Sequence, residues 1–234
     1  MNVHSHISAI ERRHASRPHM NAQLPHIDAR GAMILDSIKA VFAAKGFDGA
    51  SMQDLARAAG MSAGNFYRYF RSKDAIIAGI VARDLDQVRA EFNQIINSPD
   101  PSESFRKLIR LRIEALDSNH DEIFAEISAA AARRPEIAAI KTQFETEVLG
   151  YLTAVFGRIA GLPSGAASQR FRAHGSMIML LIQGLSLRNC GVAPNTPPAA
   201  DRDLAELVLS TIERMLADIA THPSQPLLPT ESQT

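Results

Sequence analysis

The sequence predicts an all-α protein, in which a small N-terminal unit of three helices precedes a larger helical domain. Three observations lead to this fold class. Between residues 28 and 221, apolar residues recur at intervals of three and four, which places them on one face of a helix. No segment alternates β-branched and polar residues as a half-buried strand would. Glycine and proline interrupt the pattern at Gly46, at 98–102 and at 161–163, where helices are expected to end.

Periodicity and composition divide the 234 residues into five segments. Residues 1–27 hold five of the eight histidines, have no sustained periodicity and are predicted to form a disordered extension. The other segments are the three-helix unit at 28–75, a connecting helix at 76–97, the larger domain at 98–221 and a flexible tail at 222–234.

The two final helices are predicted at about 166–190 and 200–220. The first of them contains six consecutive apolar residues, Met177–Ile182, which cover most of the helix surface. Such a helix must be covered on two sides. The second cover is either the same domain or a second copy of the chain, and the residues alone leave both possibilities open.

Two short helices are predicted within residues 51–75. Ser51 is expected to cap the first helix, with Asp54 at its positive end, and Ser62 to cap the second. Gly60 falls between them, where a left-handed backbone would cost other residues roughly 1 kcal/mol. The apolar positions that let the two helices cross are Leu55, Ala56, Ala59, Met61, Phe66 and Tyr69. This arrangement is a helix-turn-helix.

The second of these helices keeps one face without a role in the core. That face carries Ser62, Ala63, Asn65, Tyr67 and Arg68, and Arg71 and Lys73 follow it. A short helix with such a face fits the major groove of DNA, where residues near the helix N-terminus reach base edges. An ordinary helical hairpin with a solvated face fits the same spacing.

The residues from Gly46 to Lys73 resemble the N-terminal domain of TetR-family transcriptional regulators. The likeness is carried by Gly46-Phe47, Ser51, Leu55-Ala56, Ala59-Gly60-Met61-Ser62 and the run from Gly64 to Lys73. Its most distinctive part is the closing Phe-Tyr-x-Tyr-Phe-x-Ser-Lys, and the whole match covers about residues 28–80.

The resemblance implies a sequence-specific DNA-binding regulator of transcription, in the usual case a repressor that a small molecule releases from its operator. It further implies a homodimer through the helices at 166–190 and 200–220, and hence a palindromic double-stranded operator. In such proteins the connecting helix carries the effect of the ligand from the larger domain to the DNA-binding part.

Nine residues are candidate DNA contacts: Ser51, Ser62, Ala63, Gly64, Asn65, Tyr67, Arg68, Tyr69 and Lys73. Asn65 has the amide geometry that pairs with N6 and N7 of adenine, and the Ala63 methyl group can lie against a thymine methyl. The resemblance assigns phosphate contacts to Tyr67, Tyr69 and Lys73. Gly64 serves either a close approach to DNA or close helix packing, and Tyr69 is either a phosphate contact or a core residue.

The larger domain is expected, by the same resemblance, to bind a hydrophobic or aromatic effector between its helices. The candidate pocket residues are Phe105, Phe124, Tyr151, Phe156, His174 and Met177, with Gln183 as a further polar contact. Each of them also suits an ordinary core. The alternative is therefore a ligand-independent, dimeric DNA-binding protein without an effector pocket.

Composition argues against several other classes. The formal net charge is zero, with an excess of four positive charges in residues 1–75, which is too small for a protein that coats nucleic acid. Cys190 is the single cysteine, and the absence of a signal peptide or a long apolar segment predicts a cytoplasmic protein without membrane contact.

No nucleophile–base pair, metal-ligand spacing or phosphate-binding glycine loop is present, so we expect neither an enzyme nor a cofactor or metal. The charged residues Glu122, Glu126 and Arg133-Arg134 are interpreted as a solvated helix face.

Overall fold

The computed structural model describes residues 24–115, 120–189 and 198–221. Within them the chain forms α1 Ala29–Gly49, α2 Met52–Ala58, α3 Ala63–Tyr69, α4 Lys73–Ile96, α5 Pro101–Glu114, α6 His120–Ala131, α7 Pro135–Ala160, α8 Ser164–Asn189 and α9 Pro198–Thr221. The all-α prediction is confirmed. We call α1–α3 the head and α5–α9 the body, and α4 joins the two.

The limits of the helices follow from local residues. Asp28 caps α1 by accepting a hydrogen bond from the Gly31 backbone N–H at 2.7 Å. α1 continues to Gly49 across a kink at Gly46, where φ is 69° and ψ is 169°. The predicted end at Gly46 is therefore correct only for the straight part of α1, before the kink. Pro135 lies at the start of α7, as predicted, where a missing N–H costs nothing.

The buried apolar residues form two clusters. The first fills the head and the start of α4, and it also includes Ile123 and Ile127 of α6 and Ile137 and Ile140 of α7. The second lies within the body and against the end of α4. Side chains of α6 and α7 are therefore part of the core of the head. Because close-packed interiors transmit strain, a displacement of α6 or α7 would alter the packing of that core.

A glycine lies where α7 packs closely against α8. A Cβ atom at Gly157 would lie 2.7 Å from the Cβ of Ala167 and 3.1 Å from the carbonyl oxygen of Leu162. A Cβ atom at Gly150, two turns earlier on α7, would meet nothing within 4 Å. Only the first of these glycines is therefore required by packing within the described residues.

The ends of the chain differ in part from the expectation. Leu24 and Ile27, which belong to the predicted disordered extension, pack against the head cluster because their apolar side chains cover its edge. Residues 1–23 of that extension, Cys190 and the tail at 222–234 lie outside the described residues. None of the described helices combines the length and the apolar character that crossing a membrane requires.

Candidate DNA-binding site

The first helix of the predicted helix-turn-helix begins with a reciprocal cap. The Asp54 N–H donates to the Ser51 hydroxyl oxygen at 3.1 Å, and the Ser51 N–H donates to the Asp54 carboxylate at 3.1 Å. The Ser51 hydroxyl also donates to that carboxylate at 2.7 Å, and Lys45 lies 3.0 Å from it. These contacts, the Ser51 hydrogen bond first, lower the pKa of Asp54 well below its usual range.

The turn and the second helix also form as predicted. Gly60 has a φ of 64°, in the left-handed region that favours glycine. Ser62 caps α3 by accepting from the Asn65 N–H at 3.4 Å. Leu55 and Phe66 are fully buried where α2 and α3 cross, so the orientation of α3 is set by its inner face.

The outer face of α3 is exposed along its whole length. Ser62, Ala63, Gly64, Asn65, Tyr67 and Arg68 all face solvent. A Cβ atom at Gly64 would meet nothing within 4 Å, so helix packing within the described residues does not require this glycine.

The placement of Tyr69 in the buried apolar set is wrong. Its side chain is 42% exposed, whereas the neighbouring Phe70 is 4% exposed and packs against Phe66 with a ring separation of 6.0 Å. α3 ends at Tyr69, and the extended backbone of Phe70 turns the next side chain inward. Tyr69 is consequently free to point outward with Tyr67.

Several polar groups on this surface have no partner in the part of the chain that the structure describes. They are the side-chain amide of Asn65, the hydroxyls of Tyr67 and Tyr69, and the guanidinium groups of Arg68 and Arg71. Exposed donors that the protein does not use are available for phosphate oxygens and base edges. The structure therefore adds Arg71 to the candidate DNA contacts. This residue follows the exposed face of α3 in the sequence but was not among the nine candidates.

Lys73 is directed into the head instead. Its ammonium group donates to the carbonyl oxygens of Phe47 and Asp48 at 2.8 and 3.1 Å, and lies 5.0 Å from the centre of the Phe47 ring. Two of its three N–H donors are thus used by the kinked end of α1, residues 46–49, which we call the α1–α2 turn. The same turn is where Gly46 kinks α1.

The body holds this turn from the other side. The Phe47 N–H donates to the Glu126 carboxylate at 2.7 Å, Arg133 lies 3.0 Å from Asp48, and Arg134 lies over the Phe47 ring at 5.2 Å. We call these contacts, with the Arg134–Asp74 ion pair at 3.1 Å, the head–body clamp.

The prediction that Glu126 and Arg134 belong to a solvated helix face is therefore wrong. Their partners are distant in sequence, and for that reason the local charge pattern did not reveal them. The side chain of Glu122 lies outside the described residues.

Of the six candidate pocket residues, Phe124 lies in a different part of the molecule from the others. Phe105 and Phe156 are fully buried and pack edge to face at 5.8 Å, and Phe171 continues this aromatic core. His174 packs against Phe171 at 5.7 Å, and Met177 is exposed on the outside of α8. Phe105 and Phe156 thus belong to the core of the body, and Met177 lies on its surface.

Tyr151 packs against Phe92 with a ring separation of 5.9 Å, and burial raises the pKa of its phenol. Gln183 donates to Glu145 at 3.1 Å. Neither residue lines a cavity among those described.

Phe124 lines a crevice that opens between α1, α4, α6 and α7. The crevice has a volume of about 50 Å³. Its apolar lining is Ile80, Val81, Ile123, Phe124, Ile127 and Phe144, and its polar lining is Lys39, Asp84 and Lys141. No group of His, Cys, Asp and Glu side chains in the described residues could hold a metal ion.

The geometry defines a class of protein: a helix-turn-helix whose second helix is fixed by its inner face and presents unpartnered donors outward is a DNA-binding module. Comparison with known proteins agrees with this class. The model for "Bacterial regulatory proteins, tetR family" matches residues 34–80.

Two curated relatives agree with this assignment. The HTH-type transcriptional repressor KstR2 of Mycobacterium tuberculosis is 25% identical over 118 residues, which are 49% of this chain and 59% of the relative. The HTH-type transcriptional regulator UidR of Escherichia coli K12 is 29% identical over 113 residues, 46% of this chain and 54% of the relative. The matches thus span little more than half the length of these relatives.

The fold agrees over a larger part of the chain. The structure of GusR from Salmonella enterica has a TM-score of 0.61 at 19% sequence identity and covers 81% of this chain and 94% of its own. Residues 34–80 therefore match the DNA-binding domain of the TetR family, and the curated relatives that the chain resembles are helix-turn-helix regulators of transcription.

Proposed function

We propose that this protein is a sequence-specific repressor of transcription that binds a palindromic operator as a homodimer and leaves it when a small molecule binds. The single observation that carries the DNA-binding part is the division of α3 into a locked inner face and an outer face of unpartnered donors. Leu55 and Phe66 fix the first, and Asn65, Tyr67 and Arg68 belong to the second.

Base reading is assigned to the N-terminal half of α3. Asn65 would bond to N6 and N7 of an adenine, and the methyl group of Ala63 would lie against a thymine. The open space around Gly64 supports the close approach of this half of the helix to the bases. Tyr67, Tyr69, Arg68 and Arg71 would bind phosphates and so fix the position of α3 in the groove. Ser51 and Ser62 lie at the helix N-termini, whose positive ends favour a nearby phosphate.

The homodimer is assigned to α8 and α9. Met177, Leu180, Gly184 and Leu187 follow one another at intervals of three and four on α8, and all four are exposed. Leu207 of α9 is likewise exposed. An apolar row of this kind is unfavourable in water and supports burial against a second copy. The small Gly184 within the row would let the two helices approach closely.

Repression and release are the finer parts of the proposal. KstR2 is named a repressor, and a bound regulator of this size would block access of polymerase to overlapping DNA. Ligand response is supported by the head–body clamp, since α6 both lines the crevice and bonds to the turn before α2. A ligand shifts such an equilibrium only if it binds one arrangement more tightly than the other.

The small volume of the crevice favours a second candidate, a dimeric DNA-binding protein that needs no ligand. A cavity of about 50 Å³ is small beside the roughly 300–1,000 Å³ of typical ligand sites. In that case no small molecule would change operator affinity, while DNA binding and dimerisation would remain.

Selection of bound sequences from a random DNA library, with the full-length protein, tests the main proposal. We expect a palindromic site whose half-sites are one helical turn apart or a multiple of it. Recovery of no preferred sequence would refute specific binding. The variant Asn65→Ala should then lose about 1–3 kcal/mol on the selected site but little on random DNA. An equal loss on both would remove Asn65 as a base reader.

A further inference from the structure

The crevice between head and body differs from the aromatic core of the body in having charged walls. Lys39 comes from α1 of the head, Asp84 from α4, and Lys141 from α7 of the body. Apolar side chains of α4, α6 and α7 form the rest of the lining. A molecule in this crevice would therefore contact the head and the body at once.

In the part of the chain that the structure describes, Lys39 forms an ion pair with Asp36 but no hydrogen bond. Its side chain is only 20% exposed, yet its ammonium lies 3.8 Å from the Asp36 carboxylate, which is beyond hydrogen-bond distance. Asp36 instead accepts a hydrogen bond from Arg83. Among the described residues Lys39 makes no hydrogen bond, so its N–H donors are available to a ligand in the crevice.

The other charges around the crevice are already engaged. Lys141 pairs with Glu145 and lies 5.9 Å from the centre of the Phe124 ring, and Glu145 also accepts from Gln183. The carboxylate of Asp84 interacts with the neighbouring Arg83. The N–H donors of Lys39 therefore remain available, and a charged donor forms its strongest hydrogen bonds with an anionic group.

We propose that the crevice is the effector site and that it binds a small amphipathic anion, an apolar chain or ring that ends in a carboxylate. The carboxylate bonds to the ammonium of Lys39, with Lys141 close by in the same wall. The apolar part lies among Ile80, Ile127 and Phe144. This inference rests on the proposed ligand-responsive function and assigns its site and its ligand class.

The size of the crevice connects binding to the head. A cavity of about 50 Å³ does not hold a chain of several carbon atoms, so such a ligand enters only if α1 moves away from α6 and α7. Glu126 lies beside Ile127 on α6 and holds the Phe47 N–H at 2.7 Å. Separation of α6 from α1 would lengthen this bond and release the turn that precedes the helix-turn-helix.

The test uses the full-length protein and three probes of equal chain length: octanoate, octan-1-ol and octylammonium. Calorimetric titration and thermal unfolding are measured for the wild type, Lys39→Met, Lys39→Arg and Lys107→Met. Lys107 is the matched control, because it lies on α5 with its side chain 72% exposed and pairs only at 3.9 Å. Unfolding of the unliganded variants shows that each is folded.

We expect octanoate to bind more tightly than octanol and octylammonium not to bind. Lys39→Met should weaken octanoate binding by roughly tenfold or more, while Lys39→Arg restores most of the affinity and Lys107→Met leaves it unchanged. Equal binding of octanol and octanoate, equal loss in both methionine variants, or no binding of any probe would overturn the inference.

The same samples are titrated with the selected operator. Intact operator binding with no response to octanoate would refute the assigned site and ligand class alone. If the unliganded wild type did not bind the operator, the proposed function would be refuted instead.

Discussion

Replacement of Lys73 by methionine should destabilise the head without removing a DNA phosphate contact. The ammonium of Lys73 donates to two carbonyl oxygens of the α1–α2 turn, Phe47 and Asp48, and lies over the Phe47 ring. Methionine keeps much of the apolar stem but has no N–H donor. The two carbonyl groups then turn to water or remain unpaired, and the turn loses its attachment to α4.

The magnitude follows from these contacts. A hydrogen bond from a charged donor contributes roughly 1.5–3 kcal/mol when buried, and less when partly solvated as here. The two bonds and the ring contact together therefore contribute roughly 2 kcal/mol. For a chain of this length, such a loss lowers the melting temperature by about 4–8 °C.

Two measurements on two variants separate this structural role from phosphate binding. Thermal unfolding of Lys73→Met should show the loss of stability, and the salt dependence of its binding to random DNA should match that of the wild type. Arg71→Met is the control, since Arg71 is exposed and has no partner among the described residues. Its stability should be unchanged, and the slope of log K against log salt concentration should fall in magnitude by about 1 per subunit.

The reverse result would refute the reasoning. If Lys73→Met kept its melting temperature but lost one phosphate contact in the salt slope, the ammonium would serve DNA and its bonds to Phe47 and Asp48 would be incidental. An unchanged slope in Arg71→Met would remove Arg71 from the phosphate-binding surface.

Three further predictions concern the body and the cap of α2. Leu180→Arg should convert a homodimer to a monomer in sedimentation experiments, whereas Leu111→Arg, equally exposed but on α5, should not; the same oligomeric state in both would argue against the α8 interface. Gly157→Ala should lower stability, because its Cβ would lie 2.7 Å from that of Ala167, while Gly150→Ala, in open space, should raise it by about 0.5–1 kcal/mol; loss of stability in both would contradict the packing argument. The pKa of Asp54 is lower in the folded protein than in the unfolded chain, so its contribution is present above about pH 4 and is lost as the pH falls further; Asp54→Asn should reduce this acid sensitivity in pH-dependent unfolding, and an unchanged profile would contradict it.

The helix-turn-helix was predictable because its determinants are local. The reciprocal cap joins Ser51 to Asp54, and the cap of α3 joins Ser62 to Asn65, both across three residues. Gly60 needs only its own backbone angle. Capping preferences and the cost of a left-handed conformation act at this distance whatever the remainder of the chain does, so the residues specify both helices and the turn.

Whether a residue near the end of a helix is buried or exposed was not predictable in the same way. Helical spacing placed Tyr69 among the buried residues, but α3 ends there and Phe70 turns inward in its place. Periodicity describes a continuing helix, and the termination of one depends on the surface it packs against.

The sequence by itself determined the helical fold, the limits of most helices and the outward face of α3, since periodicity, capping and turn chemistry are properties of short segments. Only the tertiary structure decided what the charged residues do. The bonds of the Phe47 N–H to Glu126 and of the Phe47 carbonyl to Lys73 join residues 79 and 26 positions apart, and no local pattern encodes such pairs. The partners of a charged side chain are set by which helices meet in space, and that is decided by the packing of the whole core.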